Sequence, residues 1–561
     1  MPALGLMLRC ARLAQECSRH GGTEAEGDLT EKRQILRSAG VITFITIISR
    51  ILGYIREQRI AFVLGTTLSA DSYYLAYGIP NLFRRLVGEG SLTASFIPIF
   101  TQYLTAKSKK EVWEFANRLF WTLAMVLAVM TALGIVFSPY LVRVLTMFSA
   151  TTTEWELAVH LNRIIFPYLF FIGLAALSMA ILNSFHVFGL PAATPILLNL
   201  AIIAASFPFF LRYFPEPGVA LSLGVLLGGA LQFLIQMPQL RERGMTFDFG
   251  VSFSHPGIRA VGKLMVPGFF GIGVYQINFL VDRVFATAAK MPEGSLASLN
   301  FADRVTELVL GGYAIAVATA ILPIMSRQAA ERDVTGLKHT LAFSLRIVSF
   351  ITIPATVGMM VLARPIIEVL FQHGRFTAES TALTSWALFF YATGLPAFAA
   401  VKLVVPAFYS TKDTKTPVAV AASAVVVNLL FNGLFYRLFF DFFRNGGPAF
   451  ATALAAYFNC LILLWVFRRR FGEFAERPML SSIAKIGLCS AAMGIFCWAM
   501  LRVLHFEQFV RLWHRIGIFV FIIGAATGFY LALAWMLRCE ELHEVYGIAL
   551  RRDAAGRGME S

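Results

Sequence analysis

Fourteen apolar stretches, nearly all of twenty residues or more, run through this chain and decide what it can fold into. A helix that spans a bilayer needs about 20 mostly apolar residues. In lipid, each backbone N–H and C=O must also find its partner within the protein, which a helix provides. The stretches lie near 38–62, 72–104, 114–147, 157–184, 193–212, 218–239, 258–289, 296–326, 336–361, 380–410, 416–439, 447–467, 480–503 and 514–537. The expected fold is an all-α polytopic membrane protein with about 14 transmembrane helices. Only 14% of its residues are charged, against about 25% in a soluble domain.

A net charge of +15 would suggest nucleic acid in a soluble protein. Here the cations cluster in short connections between apolar runs, as orientation in a membrane requires. Lys107, Lys109 and Lys110, then Arg241 and Arg243, then Arg327 and Arg332, then Lys412 and Lys415, then Arg468, Arg469 and Arg470 stand in even-numbered connections. Arg212, Lys290, Arg364 and Arg444, on the opposite side, often neighbour Glu or Asp, although the loop 502–515 is basic too. The bias predicts cytoplasmic termini, with tails at 1–36 and 541–561. The N-terminal tail lacks an apolar core of the secretory-signal type. Six cysteines show no CxxC and no metal spacing, and most fall in apolar runs, where Cys acts as a small hydrophobe.

The chain repeats itself. GYIREQRIAFVLG pairs with NFLVDRVFATAAK, SFIPIF with AILPIM, and ATPILLNL with KTPVAVAA, at offsets between 222 and 226. Charges and prolines match as well as apolar residues. Six-helix halves at 37–240 and 241–470 follow, with the last two helices at 471–540 as an addition. Paired repeats with a site at their interface are a common transporter plan.

The charged residues inside the spans point to what is carried. A charge at the middle of a spanning helix costs about 2.5–3.5 kcal/mol on insertion scales. Yet Arg50, Arg56, Glu57, Arg59, Asp71, Arg84, Arg85 and Glu89 lie in or beside the first two spans, and Asp303, Arg304 and Glu307 in the eighth. Arg85 and Glu89 are one turn apart, and Arg304 and Glu307 share a face. Arginine suits bidentate contact with phosphate, so several facing one watery cavity would take a diphosphate. The competing account is a set of structural ion pairs, or cations reaching to the interface.

A second polar group joins Asp282, Asn428, Asn432 and Thr452, oxygen donors of the kind that hold a hard cation. Ordinary interhelical hydrogen bonding explains them better, and Arg283 stands beside Asp282 as a rival partner. Glycines and prolines within the spans (Gly88, Gly90, Pro98, Pro167, Pro354, Gly394) can bend helices where a transporter needs joints. No HExxH, GxSxG or GxxxxGK[ST] appears, so the sequence offers no catalytic constellation.

SRILGYIRE followed by ADSYYLAYGIPNLFRRLVGEGSLTASFIP closely resembles the signature of the MurJ (MviN) family, the flippases of the peptidoglycan precursor lipid II. LNSFHVFGLPAATPILLN, FADRVTELVLGGYAIAVATAILP, VLFQHGRFT and VKLVVPAFYSTKDTKTPV continue the likeness from about residue 37 to 538. The resemblance implies a fold of the multidrug/oligosaccharidyl-lipid/polysaccharide exporter superfamily. It implies a central cavity between two six-helix lobes, and a groove for the lipid tail formed by the last two helices. It places cavity arginines at Arg50, Arg56, Arg84 and Arg304, with Asn81 matching. Acidic partners fall at Asp71, Glu89 and Glu307. Glu57 stands where the family usually has Asp, which keeps the charge and lengthens the reach. Lys402 matches a family lysine. The family's proposed sodium site falls on Asp282, Asn428, Asn432 and Thr452, but some members have a carboxylate where this chain has Asn432. The missing charge favours the membrane potential over sodium as the drive.

The function expected from these readings is movement of lipid II from the inner to the outer leaflet of a bacterial cytoplasmic membrane. Alternating access would do it, without a catalytic step and without a cofactor beyond a sodium ion. The expected partners are lipid II, membrane lipids and the cell-wall synthesis machinery. The alternatives are export of another lipid-linked oligosaccharide or of a drug, or a polytopic cell-wall glycosyltransferase. A cationic drug would want an acidic cavity, and a glycosyltransferase a catalytic carboxylate.

Overall fold

The computed structural model describes residues 23–86, 92–146, 152–473, 476–506, 512–542 and 544. Among the described residues, every regular element is helical and no strand occurs. Eight helical stretches are long and apolar enough to cross a membrane: Lys109–Val136, Thr153–Ser184, Pro217–Arg243, Val334–Val361, Lys415–Leu438, Gly446–Phe471, Pro478–Val503 and Leu512–Met536. A ninth is made of Ala378–Thr393 and Leu395–Ser410, bent by 44°. The protein is therefore a multi-pass membrane protein. The other expected spans also fall on helices. Gly189–Ala205 is shorter, at 17 residues. The stretch 72–104 is shared between Leu68–Leu86 and Thr93–Ala106, two more lie within Thr23–Leu64 and Ser295–Ala330, and 258–289 runs just past the end of Pro256–Ala286. This set is compatible with fourteen spans.

The chain divides into two compact units. The first comprises Met1–Ile60, Ala76–Ser138 and Val159–Phe270. Its helices Gly189–Ala205 and Pro217–Leu234 pack closely because small residues line their seam. A Cβ added at Gly228 would come within 2.7 Å of Leu198, and one at Gly224 within 2.8 Å of Ala205.

The second unit comprises Ala61–Leu75, Pro139–Ala158 and Gly271–Ser561. Here Val334–Val361 packs against both Glu476–Val503 and Leu395–Ser410. The last helix, Leu512–Met536, buries only Ile522, Ala526, Tyr530 and Ala534, one residue per turn along a single line. The Tyr530 hydroxyl donates to the carbonyl of Phe350 at 2.8 Å and pins that line in place. Beyond the line, Phe521 and Trp535 are exposed, a surface suited to lipid. Just after this helix, Arg346 donates to Glu540 at 2.6 Å and to Glu544 at 3.2 Å, fixing the chain's exit. Cys460, Cys489, Cys497 and Cys539 are buried free thiols.

Helix starts follow the local chemistry of orphan N–H groups. Ser108 and Glu111 form a capping box on Lys109–Val136. Asp333 caps Val334–Val361 and Thr377 caps Ala378–Thr393. Of the expected joints, Pro167 separates Thr152–Ile165 from Tyr168–Ser184, and Gly394 marks the 44° bend. Pro98 and Pro354 instead lie within continuing helices. Gly88 and Gly90 lie outside the described residues.

Candidate functional site

In the first unit the arginines sit on the helix Thr23–Leu64 and at the end of Leu68–Leu86. Arg50 is exposed. Arg56 is largely buried and donates through one terminal nitrogen to Glu57 at 2.5 Å and through the other to Asn199 at 3.0 Å. Adjacent helical residues do not ordinarily face each other. The longer arm of Glu57 lets it fold back onto its neighbour. Arg59 lies on the same face as Arg56, three residues on, but is held by structure. Its Nε donates to the Ser206 hydroxyl at 3.0 Å and a terminal nitrogen to the Ser206 carbonyl at 2.8 Å. The cation thereby closes the C-terminal end of Gly189–Ala205, where orphan carbonyls and the helix dipole favour it.

Arg84 and Arg85 stand in the last turn of Leu68–Leu86, again at the dipole end that suits a cation. Arg84 Nε donates to Asn81 Oδ1 at 2.9 Å, so Asn81, which the resemblance also placed in the cavity, holds this guanidinium. Glu89, expected beside Arg85, lies outside the described residues.

In the second unit, Arg304 pairs with Glu307 at 2.6 Å, and both are well exposed. Lys402 is half-buried in Leu395–Ser410. Asp71 is buried and takes a helix start rather than an arginine. Its carboxylate accepts from the N–H groups of Gly294 at 2.8 Å and Ala297 at 2.7 Å, capping Ser295–Ala330. Glu293 returns the contact by accepting from the N–H of Leu68 at 2.6 Å. The two helix starts therefore cap each other. Gly294 makes this turn possible: its φ is +82°, and a Cβ there would lie 2.2 Å from the Thr66 carbonyl oxygen.

The second polar group meets. Asp282 accepts from Asn428 at 3.0 Å, Asn432 at 3.1 Å and Thr452 at 2.5 Å. Arg283, the expected rival, donates instead to the Tyr74 carbonyl at 2.8 Å and lies 4.2 Å above the Phe279 ring. Neighbours on a helix point about 100° apart, which sends the two charges to different partners. Asn432 is 2% exposed, and its Oδ1 is buried without a hydrogen-bond partner. One carboxylate, two amide oxygens and a hydroxyl are ligand types of a hard cation, but both asparagines turn their NH₂ groups to Asp282, and Asn428 Oδ1 accepts from Asn432. A sodium ion would fit these residues with the two amides turned so that their oxygens face Asp282.

Sequence reading did not single out Asn199, the partner of Arg56. Its signal was a polar amide in an otherwise apolar run, PILLNLAII.

Many buried helices with arginines and carboxylates inside them define a polytopic transporter, and solved structures agree on the fold. An inward-facing multidrug resistance MATE family transporter of the MOP superfamily superposes with a TM-score of 0.62 at 16% identity, covering 78% of this chain and 98% of its own. Another, described as lipid II flippase MurJ in an inward closed conformation, reaches a TM-score of 0.72 at 26% identity, covering 88% of this chain and 98% of its own. A probable lipid II flippase MurJ of Vibrio cholerae is 34% identical over 84% of this chain and 90% of its own length. Lipid II flippase MurJ of Burkholderia cenocepacia is 29% identical over 90% and 97%. The pattern of the family described as lipid II flippase MurJ matches residues 60–516. This chain belongs to the lipid II flippase MurJ family.

Proposed function

We propose that this chain carries lipid II from the inner to the outer leaflet of a bacterial cytoplasmic membrane. The observation that carries the reading is a family match over residues 60–516, in a chain that largely buries Arg56 in the helix Thr23–Leu64. In this reading Arg56, Arg84 and Arg304 contact the diphosphate of the head group, with Arg50 and Arg85 adding positive potential. Glu57 and Glu307 hold two of the guanidinium groups when no substrate is present. A diphosphate carries more charge than a carboxylate and accepts the same fork of N–H groups, so it can displace them. The prenyl tail stays in lipid, and no covalent step is involved. A cationic drug is a poor cargo for sites built on arginine. Complementation of a flippase-depleted bacterium, together with detection of lipid II on the outer leaflet, tests the reading. Rescue of growth without outward lipid II would replace it with a scaffolding role.

The basic connections support cytoplasmic termini. Single cysteines placed at Lys109 or Lys412 are expected to resist an impermeant thiol reagent in intact cells, and cysteines at Glu154 or Glu293 to react. The opposite pattern would reverse the direction of transport.

The orphaned Asn432 oxygen supports a second reading, in which Asp282, Asn428, Asn432 and Thr452 hold sodium. A bound sodium would couple its gradient to conformational change, and the protein's part is to present these oxygens from three helices. Asp282→Ala is then expected to abolish activity and any sodium-dependent rise in thermal stability. The membrane potential is the rival drive, worth about 2.3 kcal/mol per charge at 100 mV. Full activity with choline in place of sodium, at constant potential, would leave the potential alone.

A further inference from the structure

We propose that Asn199 is a positioning residue for substrate binding: it holds the Arg56 guanidinium in the orientation that receives the diphosphate. The inference rests on the reading of Arg56 as a diphosphate ligand.

Asn199 lies in Gly189–Ala205 and is 5% exposed. Its two amide atoms do different work. Oδ1 accepts from the Arg56 terminal nitrogen at 3.0 Å, and Nδ2 donates to the Ser49 carbonyl at 3.0 Å. The partners leave one orientation of the amide. Turned over, its NH₂ would face the guanidinium, donor against donor, and its oxygen would face a carbonyl. One side chain therefore grips the helix Thr23–Leu64 at Ser49 and at Arg56, almost two turns apart. Nothing bulky intervenes: Gly53 lies between the two grips, and a Cβ there would already stand 3.6 Å from Asn199 Nδ2.

The consequence for Arg56 is geometric. A long side chain with several rotatable bonds loses much of its freedom when it binds. Glu57, its neighbour on the same helix, gives the guanidinium a counter-charge. Asn199, from another helix, supplies a second point and so fixes the plane of the fork. It does so with a neutral acceptor, which orients the cation without cancelling its charge. Bidentate recognition of phosphate depends on that plane.

The experiment uses the full-length protein in lipid nanodiscs and measures its affinity for lipid II. Asn199→Ala is expected to weaken binding about tenfold, as befits one hydrogen bond to a charged group, with little change in thermal unfolding. Asn199→Asp keeps the volume and guards against a folding failure of the first variant. It is expected to weaken binding too, because a carboxylate both competes for Arg56 and opposes the Ser49 carbonyl. The decisive reading is the double-mutant cycle with Arg56→Ala. If Asn199 acts through Arg56, removing it from the Arg56→Ala protein changes affinity no further. Additive losses would overturn the inference and leave Arg56 as a ligand. Unchanged binding in Arg56→Ala would overturn the reading of Arg56 and this inference with it.

Discussion

Arg56→Ala and Arg304→Ala are each expected to abolish rescue of a flippase-depleted bacterium, while the protein still reaches the membrane in normal amount. A hydrogen bond to a charged group is worth about 1.5–3 kcal/mol, and an arginine fork makes two. Losing both costs a factor of roughly a hundred or more in affinity for the diphosphate. The same change also removes the guanidinium that Glu57 or Glu307 contacts. Arg56→Lys and Arg304→Lys are expected to rescue in part, since an ammonium restores the charge without the fork. Growth of the Ala strains at the normal rate, with membrane levels checked by blotting, would sink the assignment.

The sequence made some of this legible and hid the rest. Apolar length is a local property, so among the described residues the expected spans fall on helices, although 72–104 and 380–410 are each divided between two. The Arg304–Glu307 pair was readable for the same reason, since three residues along a helix bring two side chains to one face. The internal repeat aligned Glu57 with Asp282, and both are indeed buried carboxylates. Their partners were not readable in the same way. Glu57 turns to the arginine beside it, whereas Asp282 ignores Arg283 and takes two amides and a hydroxyl from helices about 150 residues away. Asp71 was harder still. A carboxylate among arginines reads as an ion-pair partner, yet it is bound by two backbone N–H groups, and backbone donors leave no trace in a sequence.

Asp71→Ala is expected to loosen the start of Ser295–Ala330. Two buried N–H groups would lose their acceptor, and each such loss costs about 1–3 kcal/mol. Hydrogen exchange of the segment 292–300 is expected to quicken by at least about tenfold, and thermal unfolding in detergent to fall. Asp71→Asn keeps one acceptor oxygen, so it is expected to lie between wild type and Ala. Glu293→Gln should loosen the start of Leu68–Leu86 more mildly, as the amide oxygen can still accept from Leu68. Unchanged exchange at Gly294 and Ala297 in the Ala variant would show that the helix start is held by something else.

The last helix buries one line of residues, Ile522, Ala526, Tyr530 and Ala534, flanked by Phe529 stacked on Phe496 and Arg515 beside Glu368. For evolution that line and its two flanking contacts are the ledger of the helix's identity. Elsewhere on its surface any apolar residue serves lipid equally well, so substitutions there are close to silent. Drift can then retune the girth and chemistry of a lipid-facing surface, turn by turn, while a few fixed positions keep the helix attached.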